Sequence, residues 1–253
     1  PFGLGSFASR GTLMGGNGVL AAAKDAFRQL AEVAAEMLEA NPVDIESRKG
    51  KFYPRGTPEK YVPFKEVAAR ATFSRHGAPV VGTGFYEPPT VLPDPETKYG
   101  NISPAYPFAC QIAEVEVDAD TGQVTVTNFV GAHDVGRAIN PMATEGQIRG
   151  GVTQGLGWTL MENMAYENGK IINADFVDYI VPSALDVPDI KPILVEPIEP
   201  NGPYGAKGIG EPALNPTMSA ITNAIYDATG IRIKELPVSP EKILAELKKK
   251  GGM

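Results

Sequence analysis

One cysteine, Cys110, and two histidines, His76 and His133, are all that the 253 residues offer as thiol or imidazole ligands. A single thiol excludes a disulfide within the chain and any cluster held by several cysteines, iron–sulfur centres included. Two histidines leave a histidine-built zinc site short of ligands. Positive charge is also scarce: 23 Lys and Arg against 30 Asp and Glu give a net charge of −7. Binding to nucleic acid therefore has no electrostatic support. The dense basic run, LKKKGGM, reads as a solvated terminus. No apolar run approaches the ~18 residues of a membrane span, and no secretory signal is visible. The expectation is a cytoplasmic protein without a membrane partner.

Glycine (28) and proline (23) are abundant instead, within an otherwise ordinary 43% hydrophobic and 21% charged composition. They imply many fixed turns and close backbone approaches. The length suits one large domain or two small ones, enough to bury about three-quarters of the unfolded surface. The chain begins at Pro1, and PFGLGSFASRG already reads as a functional glycine loop. The expectation is a fragment, a processed chain or a separately encoded half of a larger domain.

The pattern of elements is mixed α/β or α+β. After the glycine loop at 3–18, Leu20, Ala23, Phe27, Leu30, Ala34 and Met37 recur at helical spacing, and Asn41-Pro42 is expected to end that helix. DIESRKGKFY reads as a hairpin turning at Lys49-Gly50, and Pro63 as the start of a short helix. Residues 82–107 read as a long loop, either functional or an ordered excursion; Phe85, Tyr86, Tyr106 and Phe108 are candidates to line an access route. AEVEV and VTVTNFV flank the turn DADTG as two strands, and GAHDVGRAINP is expected as a loop. EGQIRGGVTQGLGWTLMEN reads as a helix, KIINADFVDYIVP as strand-like, followed by IKPILVE. Asn215-Pro216 is expected to cap and open a helix closed by Gly230, and Ser239-Pro240 to open the last one.

Three segments could carry chemistry. Gln147 and Gln154 lie seven residues apart, two helical turns on one face, among five glycines between 146 and 157. Each such glycine costs about 1 kcal/mol relative to alanine. Either close helix packing or the approach of a flat polar ligand would compensate. The N-terminal loop offers backbone amides, Ser6, Ser9, Arg10 and Thr12 ahead of a helix, which suits a phosphate. It is neither a P-loop nor a Rossmann fingerprint, and a glycine-rich turn with no ligand remains the alternative. In GAKGIGEPALNP, Glu211 stands between Gly210 and Pro212. It is either a solvated loop residue, paired with Lys207, or a general base. His133-Asp134 is not a catalytic pair, since adjacent side chains rarely face each other, and His76 reads as exposed.

Six motifs in one order (ASRGT, AEVEVDADTG, DVGRAINP, GQIRGGVTQGLG, GAKGIGEP and NAIYDATGIRIKELPVSPEKI) resemble the molybdenum hydroxylases, the xanthine dehydrogenase and aldehyde oxidoreductase family. The resemblance runs from Gly5 to about Leu247. It implies the C-terminal half of the molybdopterin-binding region of a large subunit, taken as one split or fragmentary domain over 1–253. The implied activity is hydroxylation of a carbon in an N-heterocycle, purine or aldehyde, with oxygen from water and the glutamate matching Glu211 as general base. Gln147 would hydrogen-bond near the metal or pterin, with Gln154 on the same helix face. Phe7, Ala8, Ser9, Arg10, Gly11 and Thr12 would hold the phosphate side of the pterin cofactor. Gly208 and Gly210 would give clearance to it. The cofactor would be molybdopterin in its cytosine dinucleotide form, its own dithiolene rather than protein side chains binding the metal. The 2Fe-2S and FAD groups would sit on partner chains. Expected partners are the missing N-terminal half, an iron–sulfur subunit, a flavin subunit and a small-molecule substrate, in a hetero-oligomer exposing a partly apolar surface on this chain. Alternatives are a non-catalytic cofactor-binding or assembly module, and a reductive member such as a hydroxybenzoyl-CoA reductase.

Overall fold

The computed structural model describes residues 3, 5–74 and 79–251, so His76 lies outside the described residues. The chain divides into two compact units, one built from 13–89 and the other from 5–12 and 90–253.

The first unit is organised by α1 (Gly16–Leu38), whose C-terminal half buries Ala31, Val33, Ala34, Ala35 and Leu38. Of the expected stripe, Leu30, Ala34 and Met37 pack on the core and Phe27 stacks on Phe52 while 38% exposed, whereas Ala23 is exposed. α1 ends at Leu38, with Glu39 in the left-handed region. Asn41-Pro42 does not end it but opens a 3-10 turn, the Asn41 side chain accepting from the Val43 amide. β1 (Ile45–Arg48) and β2 (Lys51–Pro54) form the expected hairpin; its two turn residues, Lys49 (φ 51°) and Gly50 (φ 72°), have the positive φ of a type I′ turn. β3 (Val62–Pro63) adds the third strand and leads into α2 (Phe64–Ser74), so Pro63 precedes the helix rather than opening it. Phe52 is buried between the rings of Phe27 and Phe64. The start of the long loop runs along α1: Asp25 accepts from the Thr83 amide, and Gln29 donates to the Val81 carbonyl. This part of the expected loop is ordered packing. Phe85 within it is 80% exposed.

In the second unit, β4 (Ala109–Val117) and β5 (Val124–Asp134) form an antiparallel pair, and β8 (Asp189–Val195) joins β5 in parallel. β4 alternates as its sequence requires, with Ala113, Val115 and Val117 packed on the core. β5 extends through His133 and Asp134, residues expected in a loop, because both ladders continue to them. α3 (Pro141–Leu160) starts at Asn140, whose side chain accepts from the Ala143 amide, and crosses back to β8. Between them, β6 (Tyr166–Glu167) and β7 (Lys170–Ile171) make a small hairpin. The strand expected across KIINADFVDYIVP stops at Ile171. Beyond it Ile172, Phe176, Val177 and Leu185 are exposed, the last 98% exposed. That is the apolar surface expected of the chain.

α4 (Thr217–Thr229) and α5 (Pro240–Gly251) complete the unit. Asn215 does not cap α4, whose first turn begins at Thr217 with no side-chain cap. Gly230, at φ 70°, closes α4 as expected. Phe129, Ile148, Val152, Leu156, Ile221, Ile225 and Ile243 form the buried core. Among the described residues no helix is long and apolar enough to cross a membrane.

The glycines of α3 serve two faces. A Cβ at Gly151 would stand 2.6 Å from the Ala213 methyl, and one at Gly155 2.5 Å from Thr217 Cβ. These two are packing glycines. Gly146 and Gly150 have open space within 4 Å and share a face with exposed Gln147 and Gln154. Two substitutions separate the faces. Gly151→Ala should lower stability by about 1–3 kcal/mol, whereas Gly150→Ala should raise it by about 1 kcal/mol, both read from denaturant midpoints of the purified protein.

Candidate functional site

Residues 205–211 are stitched into place from three sides. The Arg137 amide donates to the Gly205 carbonyl at 2.8 Å, and the Lys207 amide to the Val135 carbonyl at 2.9 Å. These bonds pair GAKGIGEP with DVGRAINP, two motifs seventy residues apart in sequence. Lys207 buries its ammonium, donating to Asp134 Oδ2 at 2.6 Å and to the Tyr106 carbonyl at 3.1 Å, with Glu199 Oε2 at 4.0 Å. The expected surface pair of Lys207 with Glu211 is therefore not formed; a buried lysine needs a carboxylate at hand, and Asp134 supplies it.

The third side is the N-terminal loop. The Glu211 amide donates to Ser9 Oγ at 2.7 Å, and the same hydroxyl lies 3.4 Å from Glu211 Oε2. Ser9 thus accepts from the backbone of Glu211 and donates toward its carboxylate. A Cβ at Gly208 would overlap the Ser9 carbonyl oxygen, so that glycine is needed for the loops to meet. Gly210 also faces Ser9, whose Oγ would lie 3.5 Å from an added Cβ. Ala8 and Ser9 both hold left-handed backbones, φ 49° and 52°. Such strain in non-glycine residues persists only where surroundings impose it, and it concentrates at ligand sites. Arg10 stacks its guanidinium over the Phe7 ring, 5.1 Å from the centroid. The Glu211 side chain itself is exposed.

Beside this junction lies a cleft of about 310 Å³. Thr12, Arg137, Asn140, Thr144, Gln147 and Lys207 give it polar lining; Val135, Ala138, Ile139, Ala206 and Ile209 give it apolar walls. Its polar end is the first two turns of α3, where the helix dipole favours an anion, although the Ala143 and Thr144 amides are already taken by Asn140. Exposed Arg137 adds a cation.

The structure thus brings Ser9, Gly208, Gly210 and Glu211 together, and separately gathers Thr12 and Gln147 in the cleft; residues 206–209 run between the two. Phe7, Ala8, Arg10, Gly11 and Gln154 do not line the cleft. Arg137, Asn140 and Thr144 were not singled out by sequence. The available signal was Asn-Pro at 140–141, a helix start placing its amides beside an arginine. His133, dismissed as half of a catalytic pair, is buried and hydrogen-bonded to Gln111.

These residues fit a flat, anionic, metal-bearing cofactor. Two glycines bare one face of α3, Arg137 lines the cleft beside the start of that helix, and the N-terminal loop is drawn close to a carboxylate.

Residues 1–188 match the family model described as "Molybdopterin cofactor-binding domain". The chain is 35% identical to 6-hydroxypseudooxynicotine dehydrogenase complex subunit gamma of Paenarthrobacter nicotinovorans, over 97% of this chain and 30% of the relative. It is 31% identical to the xanthine dehydrogenase molybdenum-binding subunit of Escherichia coli O157:H7, over 97% of this chain and 32% of the relative. Among solved structures it is similar to quinoline 2-oxidoreductase from Pseudomonas putida 86, with a TM-score of 0.84 and 32% identity, covering 98% of this chain and 31% of that one. The chain spans about a third of the length of the relatives it matches. Sequence, fold and the cleft agree: the chain belongs to the molybdopterin cofactor-binding domain family, as part of a large subunit of the molybdenum hydroxylases.

Proposed function

We propose that this chain carries the general base and half of the cofactor site of a molybdenum hydroxylase. Residues 1–253 are read as the C-terminal half of the molybdopterin-binding region. The observation that carries this reading is the junction of Ser9 with Glu211, which joins the cofactor loop to the base. The relatives' printed names refer to a hydroxypseudooxynicotine, a xanthine and a quinoline. On this chain they support the reading of a substrate carbon in an N-heterocycle or purine, beside the aldehyde that the family also suggests.

Molybdopterin, when bound, takes up the electron pair removed from the substrate carbon. This chain orients it. Arg137, Thr12 and the α3 N-terminus would hold its phosphate end, the cytosine dinucleotide form being the one proposed. Gln147 hydrogen-bonds its polar edge, with Gln154 further along the same face. Of the Phe7–Thr12 stretch, expected to hold the phosphate side, Thr12 lines the cleft and would contribute its hydroxyl. Glu211 accepts, on a carboxylate oxygen, the proton lost as water-derived oxygen attacks the substrate carbon. Ser9 fixes the backbone that carries that carboxylate, and Gly208 lets the loop come close enough for it to do so. The 2Fe-2S and flavin groups that carry electrons away are assigned to partner chains. The exposed apolar residues at 172–185 are read as a contact with the remainder of the large subunit.

In the assembled enzyme, Glu211→Gln should lower turnover by about 10²-fold or more while molybdenum content stays at the wild-type level. Turnover near wild type would remove the base from Glu211 and favour a module that only binds cofactor. Gln147→Ala should reduce molybdenum retention or slow turnover severalfold; unchanged metal content and rate would take Gln147 out of the site.

A further inference from the structure

Glu211 is held by Ser9 on one side. On the other side the chain passes through a run of turns: the Leu214 amide donates to the Glu211 carbonyl at 3.0 Å, and the Thr217 amide to the Leu214 carbonyl at 3.2 Å. Ala213, inside this run, is buried against Gly151. Its carbonyl accepts from Gln111 Nε2 at 2.8 Å. Gln111 stands on β4, about a hundred residues earlier in the chain.

The hydrogens of this network can be assigned completely. Thr217 Oγ1 lies 2.7 Å from Gln111 Oε1 and 2.9 Å from the Ala213 carbonyl. Its one proton is assigned to Gln111 Oε1, the nearer acceptor, because the Ala213 carbonyl already has the Gln111 amide as its donor. The Gln111 amide group then supplies its two protons to the Ala213 carbonyl and to His133 Nε2, 2.9 Å away. Turning the carboxamide over would set its oxygen against the Ala213 carbonyl oxygen, 2.8 Å away. His133 Nε2 then accepts, which puts the ring proton on Nδ1, a buried nitrogen with no hydrogen-bond partner among the described residues. Burial lowers the His133 pKa and keeps the ring neutral, as this arrangement needs. His133 and Thr217 are both fully buried. With no water to compete, each bond holds its partner firmly, and replacing one member leaves others unpaired.

We propose that Gln111 is a positioning residue for Glu211. Its carboxamide ties the Ala213 carbonyl and the Thr217 hydroxyl to the β4–β5 pair, so the turn bearing Glu211 is fixed from the sheet side as Ser9 fixes it from the loop side. The role rests on the reading of Glu211 as base. A base must stand in reach of its proton, and a displacement of about 1 Å costs up to 10²-fold in rate.

The test compares Gln111→Met, Thr217→Val and Thr217→Ser in the assembled, molybdenum-loaded enzyme. Amide hydrogen exchange across 205–216 and steady-state kinetics are measured together. Gln111→Met and Thr217→Val should speed exchange in that segment by about tenfold or more. They should lower kcat by about 10- to 100-fold with KM held within about twofold. Thr217→Ser, which keeps the hydroxyl, should restore both. Unchanged exchange in Gln111→Met and Thr217→Val would overturn the tether. Faster exchange with unchanged kcat would overturn the positioning role, provided Glu211→Gln is inactive. If Glu211→Gln is active, the failure lies with the base, and the positioning role falls with it. Should Gln111→Met not assemble, Thr217→Val and Thr217→Ser decide the matter alone.

Discussion

A hydroxyl on one side of the sequence meets an amide on the other. The bond between Ser9 Oγ and the Glu211 backbone spans 202 residues, and the site is organised around it. It needs a left-handed backbone at Ala8 and Ser9, a missing side chain at Gly208, and a connection at 205–211 that cannot drift. Each requirement is met by a different part of the second unit. The buried ion pair of Lys207 with Asp134 anchors the connection to β5, and the backbone bonds of 205–207 to 135–137 set its path. Gln111 then holds its exit into α4.

The same economy shows in α3. A helix with five glycines between 146 and 157 gives up intrinsic stability along its length. Gly151 and Gly155 recover it through contact with Ala213 and Thr217, which seats the Glu211 connection against the helix. Gly146 and Gly150 recover nothing within the described residues, and they lie on the face of Gln147 and Gln154. The packing reading holds for Gly151 and Gly155, while Gly146 and Gly150 leave an open face. The helix joins the core to the cleft: one face packs the connection, and its N-terminal turns line the anion-competent end.

Local rules carried well where local forces decide. The Lys49-Gly50 turn, the alternation in β4, the Gly230 stop and the start of α5 at Pro240 all follow from backbone preference or period-2 burial. They failed where distant partners decide. β5 runs on through His133 and Asp134 because β4 and β8 extend their ladders that far. Lys207 turns from nearby Glu211 to Asp134, because burial raises the cost of leaving its charge without a close counter-ion. Asn215 looks like a cap, yet the run of turns from Glu211 carries the chain past it before α4 begins.

By itself, the sequence determined the family, through six motifs in order, and it determined which residues are candidates: Glu211, Gln147 and the 7–12 loop. Glycine, proline and carboxamide identities are chemical facts that need no fold to be read. Only the tertiary structure decided that Ser9 is the one loop residue to grip Glu211, that Arg137 and the start of α3 share a cleft, and that Gln111 reaches the same turn through the Ala213 carbonyl and the Thr217 hydroxyl. The reason is physical: a hydrogen bond is directional and short, so its partners are set by where the sheet and helices place the backbone, and sequence separation carries no information about that distance.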